Sequence, residues 1–260
     1  MLVQFSKYQG TGNDFVLLNN LDGTYNQLTI DQISFLCDRR FGVGADGLIK
    51  INSSLNSPFE VDYYNPDGSK SFCGNGARCA VAFAKTLGLD VANTSFNAFD
   101  GLHSASLNHE EVSLAMSDVE EIERIDKDYL LYTGSPHYVM FVEDLLSSDV
   151  VSIGKSIRYS DRFKDEGVNV NLVEVKGKNK LEVLTYERGV EDETLSCGTG
   201  VTAVSMSYAY REGLIGNNII DIKVKGGDLK VAFNQVSKGV FKEVRLIGPA
   251  KFVFLGEINV

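Results

Sequence analysis

The sequence predicts an α+β protein built from two similar domains, each a curved mixed β-sheet wrapped around one central helix. Two observations carry that expectation. The chain repeats itself in order at an offset of 122 residues, and each half alternates short β-rich runs with two helical segments, one of them apolar nearly all round. "TGNDFV" from Thr11 meets "TGSPHYV" from Thr133, and "DRRFGVGADGLIKI" from Asp38 meets "SDRFKDEGVNVNLVEV" from Ser160. "FEVDYYNPDG" from Phe59 meets "LEVLTYERGV" from Leu181, so Phe41 stands opposite Phe163 and Asn65 opposite Glu187. "SFCGNGARC" and "LSCGTGVTA" follow, with Cys73 and Cys197 separated by 124 residues, a two-residue insertion. One match would be chance; four in the same order are a duplication.

The elements follow from local pattern. "LVQFSKY" and "DFVLLN" alternate or run apolar as strands do. "TIDQISFLC" has Thr29 as a cap and Ile33, Leu36 and Cys37 at helical spacing. "GLIKI" and "FEVDYY" are short β-rich runs. "GARCAVAFAKTLGL" places Ala80, Val81, Phe83, Ala84 and Leu87 around a helix, and such a helix is buried; "GVTAVSMSYAY" is its partner. The second copy begins near Leu114 to Val119. The expected domains are 1–114 and 115–247, with 248–260, containing "KFVFLGEI", returning to the first as a strand. No Pro- or Ser-rich linker separates the halves, which are expected to be in firm contact.

Composition narrows the function. The 260 residues are 43% hydrophobic and 23% charged, as in globular proteins, and the net charge of −10 argues against nucleic acid or an anionic membrane as partner. No signal segment or membrane-length apolar run occurs, so a cytoplasmic location is expected. The cysteines are Cys37, Cys73, Cys79 and Cys197, without a CxxC pair, and the three histidines do not cluster, so neither a redox pair nor a metal is expected. Gly42, Gly44 and Gly47 spell GxGxxG, but a helix precedes and a strand follows, the reverse of a dinucleotide site.

Cys73 and Cys197 each stand just before a helix, where the positive end of the dipole favours thiolate and glycines open the backbone N–H groups to a ligand. Two such turns on pseudo-symmetric halves can present one sulfur to each face of a substrate in the interdomain cleft. Inverting a carbon needs that arrangement: a thiolate removes the proton from one face and a thiol returns one to the other. The helix starts stabilise the charge that develops, so no cofactor is required. Cys37 and Cys79 read instead as small buried hydrophobes. His137, in the copy of "TGNDF", and Glu187 with Arg188, opposite Asn65, are further candidates for the cleft.

Together "GTGNDFV", "DRRFGVGADG", "YYNPDGS", "FCGNGARC", "SPHYV", "GVNVN", "TYERG" and "SCGTGV" resemble the diaminopimelate epimerases. The resemblance implies a cofactor-independent isomerase that interconverts LL- and meso-diaminopimelate in lysine and peptidoglycan-precursor biosynthesis, commonly as a homodimer. By motif, Cys73 would take the proton from the LL isomer and Cys197 from the meso isomer. Asn13, Asn65, Asn169, Glu187 and Arg188 would bind substrate. Gly74, Asn75, Gly198 and Thr199 would supply backbone donors, and His137 and Glu187 would tune the cysteines. Ser135 stands where the family often has asparagine, which is expected to cost one hydrogen bond to substrate. Three other readings stay open: a proline racemase-like enzyme, which usually has histidine where Asn75 stands; a cysteine hydrolase, which leaves the second cysteine turn unexplained; and a binding protein that has lost catalysis.

Overall fold

The computed structural model describes residues 1–260. The chain divides into two compact units, Met1–Leu114 with Gly248–Val260, and Ala115–Ile247.

The first unit contains β1 (Leu2–Gly10), β2 (Asn13–Asn20), α1 (Ile30–Cys37), β3 (Gly47–Asn52), β4 (Glu60–Tyr64), α2 (Gly74–Thr86), β5 (Thr94–Ala98), β6 (Gly101–Asn108) and β7 (Glu111–Ala115). β1 and β2 form a hairpin closed by Thr11 and Gly12, both at positive φ (52° and 87°), the geometry that a two-residue hairpin turn demands. β2 pairs parallel with β3, β3 antiparallel with β4, and β5, β6 and β7 form a meander joined to β4 by one parallel pair. Phe15, Val16, Leu17 and Leu18 are all 0% exposed because both faces of β2 are covered. Val16 and Leu18 pack with Ile33 and Leu36 of α1, while α2 lies against β1, β2, β3 and β4. α1 starts at a full capping box, Thr29 with Gln32, and stops at Cys37 because Asp38 turns extended and accepts from the Arg40 and Phe41 N–H groups.

The second unit contains β8 (Glu123–Ile125), β9 (Asp128–Tyr132), β10 (Pro136–Phe141), α3 (Val150–Arg158), β11 (Asn169–Gly177), β12 (Lys180–Glu187), β13 (Asp192–Thr194), α4 (Gly198–Glu212), β14 (Gly216–Val224), β15 (Gly227–Ser237) and β16 (Val240–Pro249). β10 pairs parallel with β11, β11 antiparallel with β12, β12 parallel with β14, and β14, β15 and β16 form a meander. α4 is buried with Val183, Ile220, Val231 and Leu246 in the larger core, and α3 covers the opposite face with Val170, Leu172 and Tyr186.

The duplication extends to hydrogen-bond register. Phe15 opposes Gly47 in the first unit and His137 opposes Asn169 in the second; Leu48 opposes Tyr64 and Val170 opposes Tyr186. Each residue of the second unit stands 122 positions after its counterpart. The last strand, β17 (Lys251–Asn259), runs antiparallel to β1 over nearly its full length, Leu2 opposite Asn259 and Gln9 opposite Lys251. Gly42, Gly44 and Gly47 lie between α1 and β3, with Gly44 at φ 80° and Gly42 so close to Phe35 that no side chain fits.

Candidate active site

Each unit carries a cysteine turn at the start of its buried helix. Cys73 and Cys197 are the N-cap residues of α2 and α4, both in extended conformation (φ −134°, ψ 115° and φ −123°, ψ 110°). An extended N-cap followed by Gly-x-Gly aims the first helical N–H groups outward beside the sulfur, the arrangement that attracts negative charge.

In the first unit, the Gly76 N–H donates to Cys73 Sγ at 3.5 Å. Asn13, at the start of β2, presents Oδ1 to both the Cys73 thiol (3.6 Å) and Asn75 Nδ2 (3.2 Å), and its own Nδ2 donates to Asp46 at 2.6 Å. Arg39 bridges Asp46 and Asp14, and Asp14 also pairs with Lys7 at 2.7 Å. Burial would raise the Asp14 carboxyl, but the hydrogen bonds from Arg39 and Lys7 outweigh it and hold it at about 2. Asn65 is half-buried in the turn before α2, donating to Ser69 Oγ (3.0 Å) and Ser71 Oγ (3.2 Å). Phe72, beside Cys73, stacks on His103 at 4.0 Å, fixing the entry to the turn.

In the second unit, Cys197 is 8% exposed and its sulfur lies 3.5 Å from Thr199 Oγ1. Thr199 Oγ1 in turn meets His137 Nε2 at 2.9 Å. His137 is 0% exposed, and burial, followed by the nearby Arg188 charge, pushes its pKa down to about 3, so the ring is neutral at ordinary pH. Asn171 fixes the tautomer. Its Oδ1 accepts from Thr185 Oγ1 and its Nδ2 donates to the Tyr138 carbonyl and to His137 Nδ1 (3.1 Å), so Nε2 carries the hydrogen. That hydrogen points to Thr199 Oγ1, and the same hydroxyl shares a hydrogen bond with the Cys197 sulfur. A neutral histidine thus orders a hydroxyl beside the thiol.

Asn169 donates to Ser135 Oγ (2.8 Å) and accepts the Arg188 backbone N–H (2.8 Å). Arg188 is exposed and its guanidinium donates to the Glu166 carbonyl, while Glu187 is half-buried at the end of β12. Gly200 has no room for a side chain, since a Cβ would fall 2.6 Å from Asn171 Oδ1.

The structure therefore gathers Asn13, Cys73 and Asn75 at one helix start, and Cys197, Thr199, His137 and Asn169 at the other. Gly74 and Gly198 open the two helices. Sequence reading missed Asn171, which the parallel pairing of β10 and β11 brings to His137. Arg78, inside the otherwise apolar stretch of α2, is also fully buried. Cys37 and Cys79 are buried; burial raises their thiols to about 11 and about 12, so they stay protonated.

The sequence pattern of the diaminopimelate epimerase family matches residues 5–120 and 129–253. The chain is 47% identical over 250 residues to the diaminopimelate epimerase of Flavobacterium psychrophilum, covering 95% of this chain and 97% of that protein. It is 38% identical over 260 residues to that of Chlorobaculum tepidum, covering 96% and 99%. Among solved structures, a PhzF-family phenazine biosynthesis protein of Bacillus anthracis superposes with a TM-score of 0.78 at 12% identity, both chains fully covered. A probable proline racemase of Agrobacterium radiobacter superposes with 0.68 at 14% identity, over 99% of this chain and 93% of that one. At those identities the likeness is one of fold.

Proposed function

This chain belongs to the diaminopimelate epimerase family, and from that premise we propose that it is an isomerase interconverting LL- and meso-2,6-diaminopimelate through an acid/base pair, Cys73 and Cys197. The observation that carries the reading is the duplicated cysteine N-cap: the same extended residue, Gly-x-Gly turn and buried helix in each unit.

The chemistry balances within the enzyme. A thiolate takes the α-proton, the C–H bond breaks, and its electron pair spreads into the substrate carboxylate. A thiol on the opposite face of the carbon then gives its proton, and the enzyme is left with the two protonation states exchanged. The developing dianion needs donors, which the N–H groups at Gly74-Asn75 and Gly198-Thr199 are placed to supply. Asn13, Asn65, Asn169, Glu187 and Arg188 are assigned to hold the substrate, whose two ends each carry an ammonium and a carboxylate. Glu187 and Arg188 suit such an end, one charge for each group. His137 acts on Cys197 through Thr199, and Glu187 is assigned a share in that tuning. Ser135 takes the place of a longer amide by binding Asn169 directly. No cofactor or metal enters this scheme.

We assign the enzyme to the cytoplasm and to lysine and peptidoglycan-precursor synthesis; no helix is long and apolar enough to cross a membrane. A homodimer is the proposed assembly. Exposed Phe252, Val253 and Leu255 on β17 support it as an apolar surface that a second copy would cover.

The test is to incubate the reduced protein with LL-diaminopimelate in heavy water. Inversion with one deuterium at the inverted carbon is expected. Exchange with proline and none with diaminopimelate would move the reading to a proline racemase-like enzyme, and release of ammonia or acid by cleavage would make it a hydrolase.

A further inference from the structure

Asn13 stands at the start of β2 with its side-chain amide against Cys73. An amide has a donating end and an accepting end, and its surroundings decide which one the sulfur meets. Here Asn13 Nδ2 donates to Asp46 Oδ2 at 2.6 Å, and a carboxylate accepts without donating. Oδ1 is thereby turned the other way, where it meets the Cys73 thiol at 3.6 Å and Asn75 Nδ2 at 3.2 Å. A carbonyl oxygen only accepts, so this contact suits the thiol and disfavours the thiolate.

Asp46 is itself held in place. Its Oδ1 pairs with Arg39 Nη2 at 2.8 Å, and the Asp14 N–H donates to its Oδ2 at 3.2 Å. Its own N–H donates to the Asp14 carbonyl at 2.9 Å. That backbone bond continues the parallel pairing of β2 with β3, in which Phe15 opposes Gly47. Turning the carboxylate away from Asn13 would break both side-chain bonds. The register of two strands thus decides which end of the amide faces Cys73, and Asp46 reaches the sulfur through Asn13.

The duplication provides a contrast. At the offset of 122 residues, Ser135 stands in place of Asn13 and Val168 in place of Asp46. Ser135 Oγ accepts from Asn169 Nδ2 at 2.8 Å, and Val168 is apolar and 0% exposed. A hydroxyl donates or accepts by rotating, and a valine cannot orient it. The carboxylate–amide pair that fixes one polarity belongs to the first unit.

We propose that Asp46 is a positioning residue: by holding the Asn13 amide nitrogen it keeps the amide oxygen on Cys73, and so opposes loss of the Cys73 proton. The inference takes its catalytic meaning from the two-base reading. It gives Cys73 a partner for its acid form, the form that returns a proton to the substrate. The other charged or titratable groups around this turn are Lys7 of β1, Asp14 of β2, Arg39 after α1, Arg78 and Cys79 of α2, and His103, which stacks on Phe72. All of them stay in place in the variants below, so the comparison isolates Asp46.

Alkylation by iodoacetamide, followed for the Cys73 and Cys197 peptides by mass spectrometry from pH 5 to 10, tests it without substrate. Asp46→Ala frees the Asn13 amide to turn its nitrogen to the sulfur. The Cys73 inflection is then expected to fall by about half a pH unit or more, roughly threefold more thiolate below the inflection, while Cys197 keeps its own. Removing a negative charge would by itself lower the Cys73 inflection, so the same change is made in Asn13→Ala, which has no amide to orient. There Asp46→Ala is expected to move the inflection by less than about half as much, the mark of two residues that act through their contact. A folded Asp46→Ala with an unmoved Cys73 profile overturns the proposal. So does an equal shift in both backgrounds, which would make Asp46 a charge acting at a distance, or a shift shared by Cys197, which would mean a general loosening. If Asp46→Ala does not fold, Asp46→Asn carries the same comparison. Arg39 would hold the new amide by its oxygen, and the nitrogen left facing Asn13 would turn that amide over. A protein that shows this coupling but leaves diaminopimelate unchanged would keep the positioning role and sink the proposed activity.

Discussion

At the residue scale, four cysteines of one chemistry stand in two kinds of environment. Cys37 and Cys79 are enclosed and held as thiols, while Cys73 and Cys197 stand at helix starts with hydrogen-bonding partners. Replacing either helix-start cysteine by alanine is expected to lower kcat by at least about 100-fold, the usual worth of a placed acid or base. Cys79→Ala keeps kcat and loses stability instead, which steady-state kinetics beside urea unfolding will separate. His137 offers a second test. Its folded pKa of about 3 lies below the ordinary value of 6.5, so the unfolded chain binds the extra proton first. Its contribution to stability is complete above pH 6.5 and is lost as pH falls toward 3. Between pH 6.5 and 4.5 this amounts to about 2 kcal/mol, and His137→Gln should flatten that slope in urea midpoints. The Asp14 pair does not confuse the measurement, because its window opens below the ordinary carboxyl value and extends to about 2.

At the element scale, close approach rather than propensity decides which glycines matter. Gly154 lies in the middle of α3, where glycine is a poor helix former. A Cβ there would fall 2.4 Å from the Tyr186 ring, so the glycine lets α3 settle onto β12. Gly154→Ala is expected to cost about 1–3 kcal/mol by overpacking despite its better propensity. Gly177→Ala, at the end of β11 with nothing within 4 Å of the new Cβ, should change stability by under about 0.5 kcal/mol. Chemical denaturation of the two variants checks the contrast. Elements such as α1 and α2 were legible because caps, turn glycines and apolar spacing act within a few residues. His137 with Asn171 was not, since strand register joins residues 34 apart that no local pattern links. Arg78 was hidden for a related reason. Its neighbours in sequence are apolar, and only the approach of β1 at Gly10 and Thr11 shows where its guanidinium ends.

At the scale of the whole molecule, the repeat was legible because both halves keep the same turns in the same order, and the chain path follows from where the repeat stops. The chain leaves the first unit after Leu114, builds the second, and returns at Gly248. The returning strand completes the first unit's sheet. Phe254 packs edge-on against Phe5 and Phe252 against Tyr8, Ile258 and Val260 pack on the α1 side of the core, and Gly256 lets the Phe5 ring lie across the strand. Without β17, β1 would keep β2 on one side and expose a long row of backbone groups on the other. Removing residues 251–260 is therefore expected to unfold the first unit while the second keeps its core, splitting one denaturation transition into two. Hydrogen exchange should show lost protection in β1, β2 and β3 and retained protection in β11, β12 and α4. Adding the 251–260 segment as a separate peptide should restore protection in β1 first, because its register with that strand is continuous from Leu2 to Lys7. Uniform loss of protection across both units would show instead that they unfold as one, and that the duplicated halves no longer fold as independent domains.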